Sequence, residues 1–351
     1  MIMPTREIKG KTIICLMLFA VKEKMRQHKD FQKGFILFIL PSILSIALAS
    51  CKNQDVINDL QAGVIENRTF NATLLIDGTV YDGTIIRNCT FENIEGDGLQ
   101  IRDVNALLIE NCIFRDISGN AIRFRNSGIS DGVEIIENQI YNIEKNGILA
   151  PENHINTRIH KNEIYNVAIN NTSSQFGAPH HGIYFQGFNV RITENSIYKI
   201  LNDQGNAEEL LIENNVIYDN GKRGINLASN GNKANHIGNA VIRFNTVVSS
   251  VKSVIGINDE LSGVNFDIAG NILIKTDGGS NYIFSGQPYT ESYNITASGD
   301  IGFIDFDAND MRILSSSQAA NAAVGLMDFP DIDYLGKSRI ANSLDVGAYA
   351  D

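Results

Sequence analysis

The chain has 351 residues, of which 43% are hydrophobic, so it is long enough for one large domain or two ordinary ones with a sizeable core. It contains 30 Gly, 6 Pro and no Trp, a composition that favours a turn-rich, regular architecture and excludes a proline-rich stalk. The formal net charge is −11; residues 1–50 carry 8 Lys and Arg against 3 Asp and Glu, which leaves 21 against 37, or −16, for the rest. Such a surface disfavours nucleic acid as a partner, because nucleic-acid binding needs a basic stripe.

The N-terminal region is predicted to be a secretory signal. Residues 33–51 read KGFILFILPSILSIALASC, a basic start followed by an apolar run and small residues. The alternative interpretation is a membrane-spanning helix, for which the run is short. Residues 1–24 hold a weaker apolar patch, so translation from Met25 instead of Met1 would give a better signal.

The end of this signal, Leu48-Ala49-Ser50-Cys51, resembles the lipobox of bacterial lipoproteins. The resemblance implies that Cys51 is acylated and becomes the mature N-terminus. We therefore expect an exported protein, lipid-anchored in the bacterial cell envelope, that contacts the membrane through its lipid alone. The sequence KNQD after Cys51 does not indicate whether the anchored protein faces the periplasm or the cell surface.

Beyond the signal, a short motif recurs: Asn, any residue, an apolar residue, then an aromatic or aliphatic one. Successive copies are 20 to 33 residues apart, and a second apolar run such as GLQI (98–101) or AIRF (121–124) follows most copies after nine or ten residues. Each repeat thus holds two or three short strands separated by Asn, Asp and Gly, which make turns. The copies begin at Asn88, Asn111, Asn138, Asn162, Asn195, Asn215, Asn245 and Asn271.

This repeat pattern predicts an all-β fold, a right-handed parallel β-helix of about eight to nine coils. A single repeat cannot bury its own apolar face, but stacked repeats can. The variable spacing argues against a helical-repeat solenoid, because loops of any length can leave the corners of a β-helix. The predicted domains are a signal region (1–50), a linker and N-terminal cap (51–74), the β-helix (75–300) and a C-terminal capping segment (301–351).

The recurrent Asn is predicted to point inward and to form a ladder of amides between coils, since buried amides need hydrogen-bond partners. Two further rows follow from this assignment. The residues two positions after the Asn point inward: Ile113, Ile140, Ile164 and Ile197. The aromatic residues three positions after it form an outward stripe that braces neighbouring coils or binds sugar rings: Phe91, Phe114, Tyr141, Tyr165, Tyr198 and Tyr218. Cys89 and Cys112 take equivalent places in adjacent coils, and we expect both to remain thiols.

Over residues 75–300 the repeat resembles the β-helix of the pectate-lyase-like superfamily, which implies the fold and says little about activity. The ending DYLGKSRIANSLDVGAYAD (333–351) resembles the Asp-x-x-Gly-x-x-Arg…Asp-Val-Gly-Ala-Tyr ending of many secreted bacterial β-helix proteins, with Ala350 in place of the usual Glu. We interpret this tail as a structural cap on an open sheet end. Its matching residues are Asp333, Gly336, Arg339, Asp345, Gly347 and Tyr349.

The strand after each turn offers a surface for ligand binding, because its outward side chains alternate with side chains that point into the core. Stacking these strands predicts an outward column of Gln100, Arg123, Leu149, Tyr184 and Asn226. Beside the column lie Arg102, Arg125, Gln186, Lys145, Lys222 and Arg223. One face of an acidic protein thus collects cationic, phenolic and amide groups.

Residues 177–187, GAPHHGIYFQG, bring His180 and His181 to the start of one of these strands. The preceding loop is lengthened by an insertion, and loops on a rigid scaffold are favoured places for function. We do not expect a core role for either histidine, because both precede the strand. A solvated pair and a working site remain open.

The chemistry that fits this face is proton abstraction next to a carboxylate. Arg123 or Arg125 would neutralise a uronate carboxylate, His180 or His181 would take the C5 proton, and Tyr184 would protonate the leaving oxygen. The predicted catalytic residues are His180, His181, Tyr184 and Arg123. The predicted substrate-binding residues are Arg125, Gln186, Gln100, Asn226 and Arg223.

The predicted function is a cell-envelope lyase that cleaves a uronic-acid-containing, anionic polysaccharide by β-elimination. A non-catalytic glycan-binding or structural β-helix lipoprotein is the main alternative. Ala178-Pro179-His180 resembles the Asp-Pro-His motif of mannuronan epimerases of this fold but lacks its Asp. A two-carboxylate hydrolase is kept open by Asn258-Asp259-Glu260. No acidic trio has calcium-loop spacing, so no cofactor is predicted, although a Ca²⁺-assisted lyase stays open.

Overall fold

The computed structural model describes residues 63–169, 180–200, 206–220, 223–227, 239–249, 252–257 and 265–351. The predicted signal region and the lipidation residue Cys51 lie outside these residues. Almost all of the described chain belongs to one compact unit, Ile65–Asp351. Within the described ranges, no helix is long and apolar enough to cross a membrane.

The described chain is built from short strands, with two 3-10 helices at Thr79–Tyr81 and Ala341–Ser343. In chain order the strands are β1 (Val64–Glu66), β2 (Thr69–Phe70), β3 (Leu74–Asp77), β4 (Ile85–Arg87), β5 (Thr90–Ile94), β6 (Leu99–Arg102), β7 (Leu108–Glu110), β8 (Ile113–Ile117), β9 (Ile122–Phe124), β10 (Glu134–Ile136), β11 (Gln139–Ile143), β12 (Ile148–Ile155), β13 (Arg158–His160), β14 (Glu163–Val167), β15 (Ile183–Thr193), β16 (Ser196–Ile200), β17 (Asn206–Glu213), β18 (Val216–Asn220), β19 (Ile225–Leu227), β20 (Asn239–Arg243), β21 (Thr246–Ser249), β22 (Ile255–Ile257), β23 (Asn265–Ala269), β24 (Ile272–Lys275), β25 (Ile283–Ser285), β26 (Thr290–Ser292), β27 (Ile295–Ala297), β28 (Phe303–Asp305) and β29 (Asp310–Ile313).

Equivalent strands of successive coils pair in parallel, three strands apart in most coils and two apart around the long strand β15, which produces three long faces. Sheet 1 contains β1, β4, β7, β10, β13, the second half of β15, β17, β20, β23 and β26. Sheet 2 contains β2, β5, β8, β11, β14, β16, β18, β21, β24 and β27. Sheet 3 contains β3, β6, β9, β12 and the first half of β15, and the separate group β19, β22 and β25. The predicted all-β parallel β-helix is confirmed.

The core is a stack of aliphatic side chains held in register by this pairing. In sheet 1 one inward isoleucine per coil lies above the next, and all but the half-buried Ile192 are buried. The row consists of Ile86, Ile109, Ile135, Ile159, Ile192, Ile212, Ile242 and Ile268. Burial of such side chains is the main force that holds successive coils together.

The predicted asparagine ladder is confirmed from Asn138 onward. The Oδ1 atom of Asn162 accepts hydrogen bonds from both the backbone N–H and the Nδ2 group of Asn138, each at 3.0 Å. The Nδ2 group of Asn162 donates to the carbonyls of Ile135 and His160. The same pattern links Asn162, Asn195, Asn215, Asn245, Asn271 and Asn294.

In the first two coils the ladder prediction is wrong, because Asn88 and Asn111 are not ladder residues. Asn88 and Asn111 are exposed turn residues with φ of 54° and 50°, a left-handed conformation that Asn tolerates. Cys89 and Cys112 fill the ladder positions: the N–H of Cys112 donates to Oδ1 of Asn138 at 2.9 Å, and its Sγ atom lies 3.2 Å from the carbonyl of Glu110. Both cysteines are buried thiols.

This shift of one residue reverses the side chains that follow, because strand residues alternate between faces. The outward assignment of Phe91 and Phe114 is wrong; both are buried and stack in the core with a centroid distance of 4.5 Å. The inward assignment of Ile113 is also wrong, since Ile113 is half-buried and aligns with Gln139. In the later coils Ile140, Ile164 and Ile197 are buried, as predicted.

The outward aromatic stripe exists as four tyrosines: Tyr141, Tyr165, Tyr198 and Tyr218. Their rings are nearly parallel, with centroids 4.8 to 5.0 Å apart. The rings therefore cover one another's faces except at the two ends of the row, and the stripe braces adjacent coils.

The C-terminal tail forms a second apolar cluster on the outward face of sheet 2. Ile301, Phe303, Met311 and Val346 pack with outward residues of β18, β21 and β24 such as Val248. The tail was predicted to cover an open sheet end. Its described contacts are with the side of the solenoid instead, because the outward positions of these three strands are apolar: Val216, Val248, Ile272 and Ile274.

Candidate functional site

The outward face of sheet 3 carries most of the predicted column in register. Gln100 aligns with Arg123, Arg123 with Leu149, and Leu149 with Tyr184 on successive strands β6, β9, β12 and β15. All four side chains are half-buried. Asn226 lies in β19, where it aligns with Gly256 of β22, and among the described residues β19 does not pair with β15. The structure therefore does not bring Asn226 into register with Tyr184.

A second ladder, which the sequence reasoning missed, leads into this face. Oδ1 of Asp97 accepts from the N–H and Nδ2 of Asn120, at 2.9 and 2.6 Å. Asn120 is bonded in the same way by Asn146, whose Oδ1 accepts the backbone N–H of His181 at 2.8 Å. The available signal was a polar residue directly before each Gly-Leu, Ala-Ile or Gly-Ile pair.

His181 occupies a position of this second ladder, which explains its environment. His181 is only 2% exposed, and its ring centroid lies 5.3 Å from that of Tyr184. Its carbonyl accepts the N–H of Gly147 at 3.0 Å. The expectation that neither histidine is buried is wrong for His181, because a turn residue of a stacked coil is covered by its neighbours.

His180 is half-buried beside the same turn. Burial, together with the positive charge of Lys145, holds the pKa of His180 below its ordinary value of 6.5. The imidazole is therefore neutral around pH 7, the form that can accept a proton. The inserted loop before it, residues 170–179, lies outside the described residues.

Tyr184 and Gln186 form a polar pair next to the histidines. Nε2 of Gln186 donates to the Tyr184 hydroxyl oxygen at 2.6 Å.

Arg123, Arg125 and Gln100 form a network around the buried Asp97. Nη1 of Arg125 donates to Oε1 of Gln100 at 2.8 Å, and Nε2 of Gln100 donates to Asp97 at 2.7 Å. Arg123 forms an ion pair with Asp97 at 3.3 Å. Burial alone would raise the pKa of Asp97, but hydrogen bonds from Asn120 and Gln100 and the Arg123 charge hold it below 3.8. Arg123 is thus anchored on the side of the column away from Tyr184.

Arg223 lies with Asn226 on the separate β19 group. Its Nη1 donates to Oδ1 of Asn226 at 2.7 Å, its Nε donates to Ser253 at 3.0 Å, and its guanidinium lies 5.3 Å from the ring centroid of Phe284. Burial lowers the pKa of Arg223. The two predicted binding residues therefore lie together. They are out of register with the four aligned column residues, although Asn226 lines a cavity with Ile183 and Phe185 of β15.

No group of three or more His, Cys, Asp or Glu in the described part of the chain is placed to hold a metal ion. The Ca²⁺ alternative stays a prediction.

Comparison with known proteins identifies the family. A family model described as "Right handed beta helix region" matches residues 72–297. No curated protein matches the chain.

Three solved structures are similar in fold. XylC in complex with xylose is 13% identical, with 75% of this chain and 66% of that chain covered and a TM-score of 0.45. Pectate lyase Pel9A is 12% identical, with 84% and 98% covered and a TM-score of 0.45. The A-module of the Azotobacter vinelandii mannuronan C-5 epimerase AlgE4 is 13% identical, with 68% and 71% covered and a TM-score of 0.32. Since the family match spans well over half of the sequence, the chain belongs to the right-handed beta helix family.

Proposed function

We propose that this chain is an enzyme that cleaves a uronic-acid-containing polysaccharide by β-elimination on the outward face of sheet 3. The observation that carries the proposal is the half-buried His180, kept neutral by burial and Lys145 at the start of the strand that carries Tyr184 and Gln186. A neutral imidazole beside a cation and a phenol is a combination suited to proton abstraction next to a carboxylate.

In this mechanism the Lys145 ammonium pairs with the substrate carboxylate and acidifies the neighbouring C5–H bond. His180 accepts the C5 proton, and the electron pair forms the new C4–C5 double bond as the C4–O bond breaks. Tyr184 donates its proton to the departing oxygen, and the hydrogen bond from Gln186 orients its hydroxyl. His181 supports the turn and stacks near Tyr184, so its role is positioning.

The Arg123, Arg125 and Gln100 group would bind a more distant part of the same polymer. Two strand spacings, roughly 10 Å, separate the backbones of Arg123 and Tyr184. The Arg123 side chain is held further back by Asp97. This geometry favours a bound chain that runs along the stacked coils, with its carboxylates against successive cations.

The test is incubation of the full chain, purified in detergent, with polygalacturonate, alginate and glucuronate-containing polymers. We expect absorbance in the unsaturated-uronate band to rise with at least one polymer. Tyr184→Phe should slow that rate about 10²-fold or more while the fold is retained. Arg87→Gln is the matched control, because Arg87 pairs with Glu66 on sheet 1. Absence of activity on every polymer, or full turnover by Tyr184→Phe, would refute the lyase mechanism.

We also propose that the chain is lipid-anchored in the bacterial envelope through Cys51, on the strength of the lipobox-like Leu48-Ala49-Ser50-Cys51. Cys51→Ala should abolish labelling by a fatty-acid probe in cells, whereas Cys112→Ala should not. Equal labelling of Cys51→Ala and the parent would rule out the anchor.

A further inference from the structure

A second polar cleft lies on the outward face of sheet 1. It is formed by β10, β13, β15 and β17 and has a volume of about 490 Å³, within the roughly 300–1,000 Å³ that small-molecule sites occupy. The polar residues used below are Arg158, His160, Arg191, Thr193 and Glu194, which all line it. Tyr184 and Arg191 are both on β15, with roughly 23 Å of extended chain between them. The cleft is therefore separate from the sheet 3 face.

The charges around the cleft leave one cation for an external anion. Arg158 lies 3.5 Å from Glu134, Lys161 lies 3.5 Å from Glu194, and Arg243 lies 2.5 Å from Glu213. Arg191 aligns with Arg158 on the neighbouring strand and is exposed. Within the described residues it has no carboxylate partner. An arginine in this setting can hold a carboxylate through two parallel hydrogen bonds.

Near Arg191, the cleft has a buried carboxylate with one weak contact. Glu194 is 7% exposed, and its Oε2 atom lies 3.5 Å from the Lys161 ammonium without a well-formed hydrogen bond to any described group. Burial raises the pKa of Glu194. A carboxylate oxygen has two lone pairs, so Oε2 can accept a hydrogen bond from a ligand hydroxyl in addition to its contact with Lys161.

His160 adds a neutral group to the same cleft. Its Nδ1 atom lies 2.9 Å from Oγ1 of Thr193 and 3.9 Å from Oε1 of Glu194. Burial, then the charges of Arg158 and Lys161, lower the pKa of His160 to about 4. Neutral imidazole, hydroxyl and carboxylate groups together match the several hydroxyls of a sugar ring.

We propose that this cleft is a second binding site, which takes one acidic sugar unit. Arg191 binds the carboxylate of the sugar, and Glu194 accepts a hydrogen bond from a ring hydroxyl near His160 and Thr193. The proposal uses none of the residues assigned to the sheet 3 face, and it holds whether or not that face is catalytic.

The test is isothermal titration calorimetry of the full chain with trisaccharides of galacturonate, mannuronate and glucuronate, and with inorganic phosphate. To remove the contribution of the sheet 3 face, the titrations are repeated in the double variant Lys145→Gln and Arg123→Gln, which lacks the cations proposed to bind carboxylates there. We expect at least one trisaccharide to bind, with Kd weakened tenfold or more by Arg191→Gln. Arg87→Gln is the matched control and should leave Kd unchanged.

Three outcomes would overturn the proposal. One is that none of the three trisaccharides binds. Another is that Arg191→Gln binds as tightly as the parent. The third is that inorganic phosphate binds as tightly as the trisaccharides, which would mark a general anion site. Because Arg191 is exposed, we expect the Arg191→Gln variant to fold, and its melting temperature checks this.

Discussion

At the scale of single residues, the two neighbouring histidines have different surroundings. The backbone of His181 continues a ladder through Asn146, and its side chain is buried, whereas His180 is half-buried beside Lys145. The sequence places both residues at the start of a strand. It does not reveal which one is covered, because that depends on the alignment of Asn146 with His181 across 35 residues.

The pH dependence of the proposed reaction follows from His180. The base must be neutral, and its pKa lies below 6.5, so kcat/KM should be flat around pH 7 and fall as pH drops through the lowered pKa. Lys145→Gln removes the neighbouring positive charge and should move this acid limb to higher pH. Lys161→Gln, in the turn after β13, should leave the pH of the acid limb unchanged. An acid limb that does not respond to Lys145→Gln would show that another group titrates.

At the scale of the element, the turns between strands determine which residues of the following strand face the core. The repeat correctly predicted parallel strands and the ladder from Asn138 onward. It wrongly placed Asn88 and Asn111 in the ladder, because Asn suits both a ladder position and a left-handed turn. The hydrogen bond from the N–H of Cys112 to Oδ1 of Asn138, together with the burial of Cys112, shows that the cysteine is the ladder residue. Short-range sequence patterns cannot distinguish these two uses of Asn.

The ladder prediction is tested by removing one amide in the middle of the stack. Asn138→Ala deprives the buried Cys112 N–H of its acceptor and removes the Nδ2 donor from the carbonyl of Ile109 and from Oδ1 of Asn162, which keeps the backbone N–H of residue 138. Each buried group left unsatisfied costs about 1–3 kcal/mol. The melting temperature should fall by several degrees in thermal unfolding. Asn88→Gly is the control: it removes an exposed Asn and suits its φ of 54°, so its effect should be small. Equal melting temperatures for Asn138→Ala and the parent would contradict the ladder's structural role.

At the scale of the whole molecule, the C-terminal tail is tied to the solenoid through Arg339. Its guanidinium donates to the carbonyls of Asp345 and Gly347 at 3.1 and 2.6 Å and to Oδ1 of Asn214 at 3.0 Å. It also lies 4.5 Å from the ring centroid of Phe244. Arg339 is one of the residues of the tail motif, but the sequence could not show that it binds the side of the coils.

Arg339→Met should therefore destabilise the protein by on the order of 3 kcal/mol, because three buried acceptors lose a donor. Thermal unfolding measures this loss. Lys337→Met, an exposed change in the same tail, should have little effect. If the two variants have the same melting temperature, the tail does not contribute to the stability of the solenoid through Arg339.

The central claim for the molecule is that its sheet 3 face removes the proton next to a uronate carboxylate. The most direct measurement is NMR of the C5 proton of a uronate polymer incubated with the full chain in D₂O. We expect this signal to disappear as a C4–C5 double bond forms, and His180→Gln to slow the loss about 10²-fold or more. An unchanged C5 signal with every polymer, or an equal rate of loss in His180→Gln, would contradict the account.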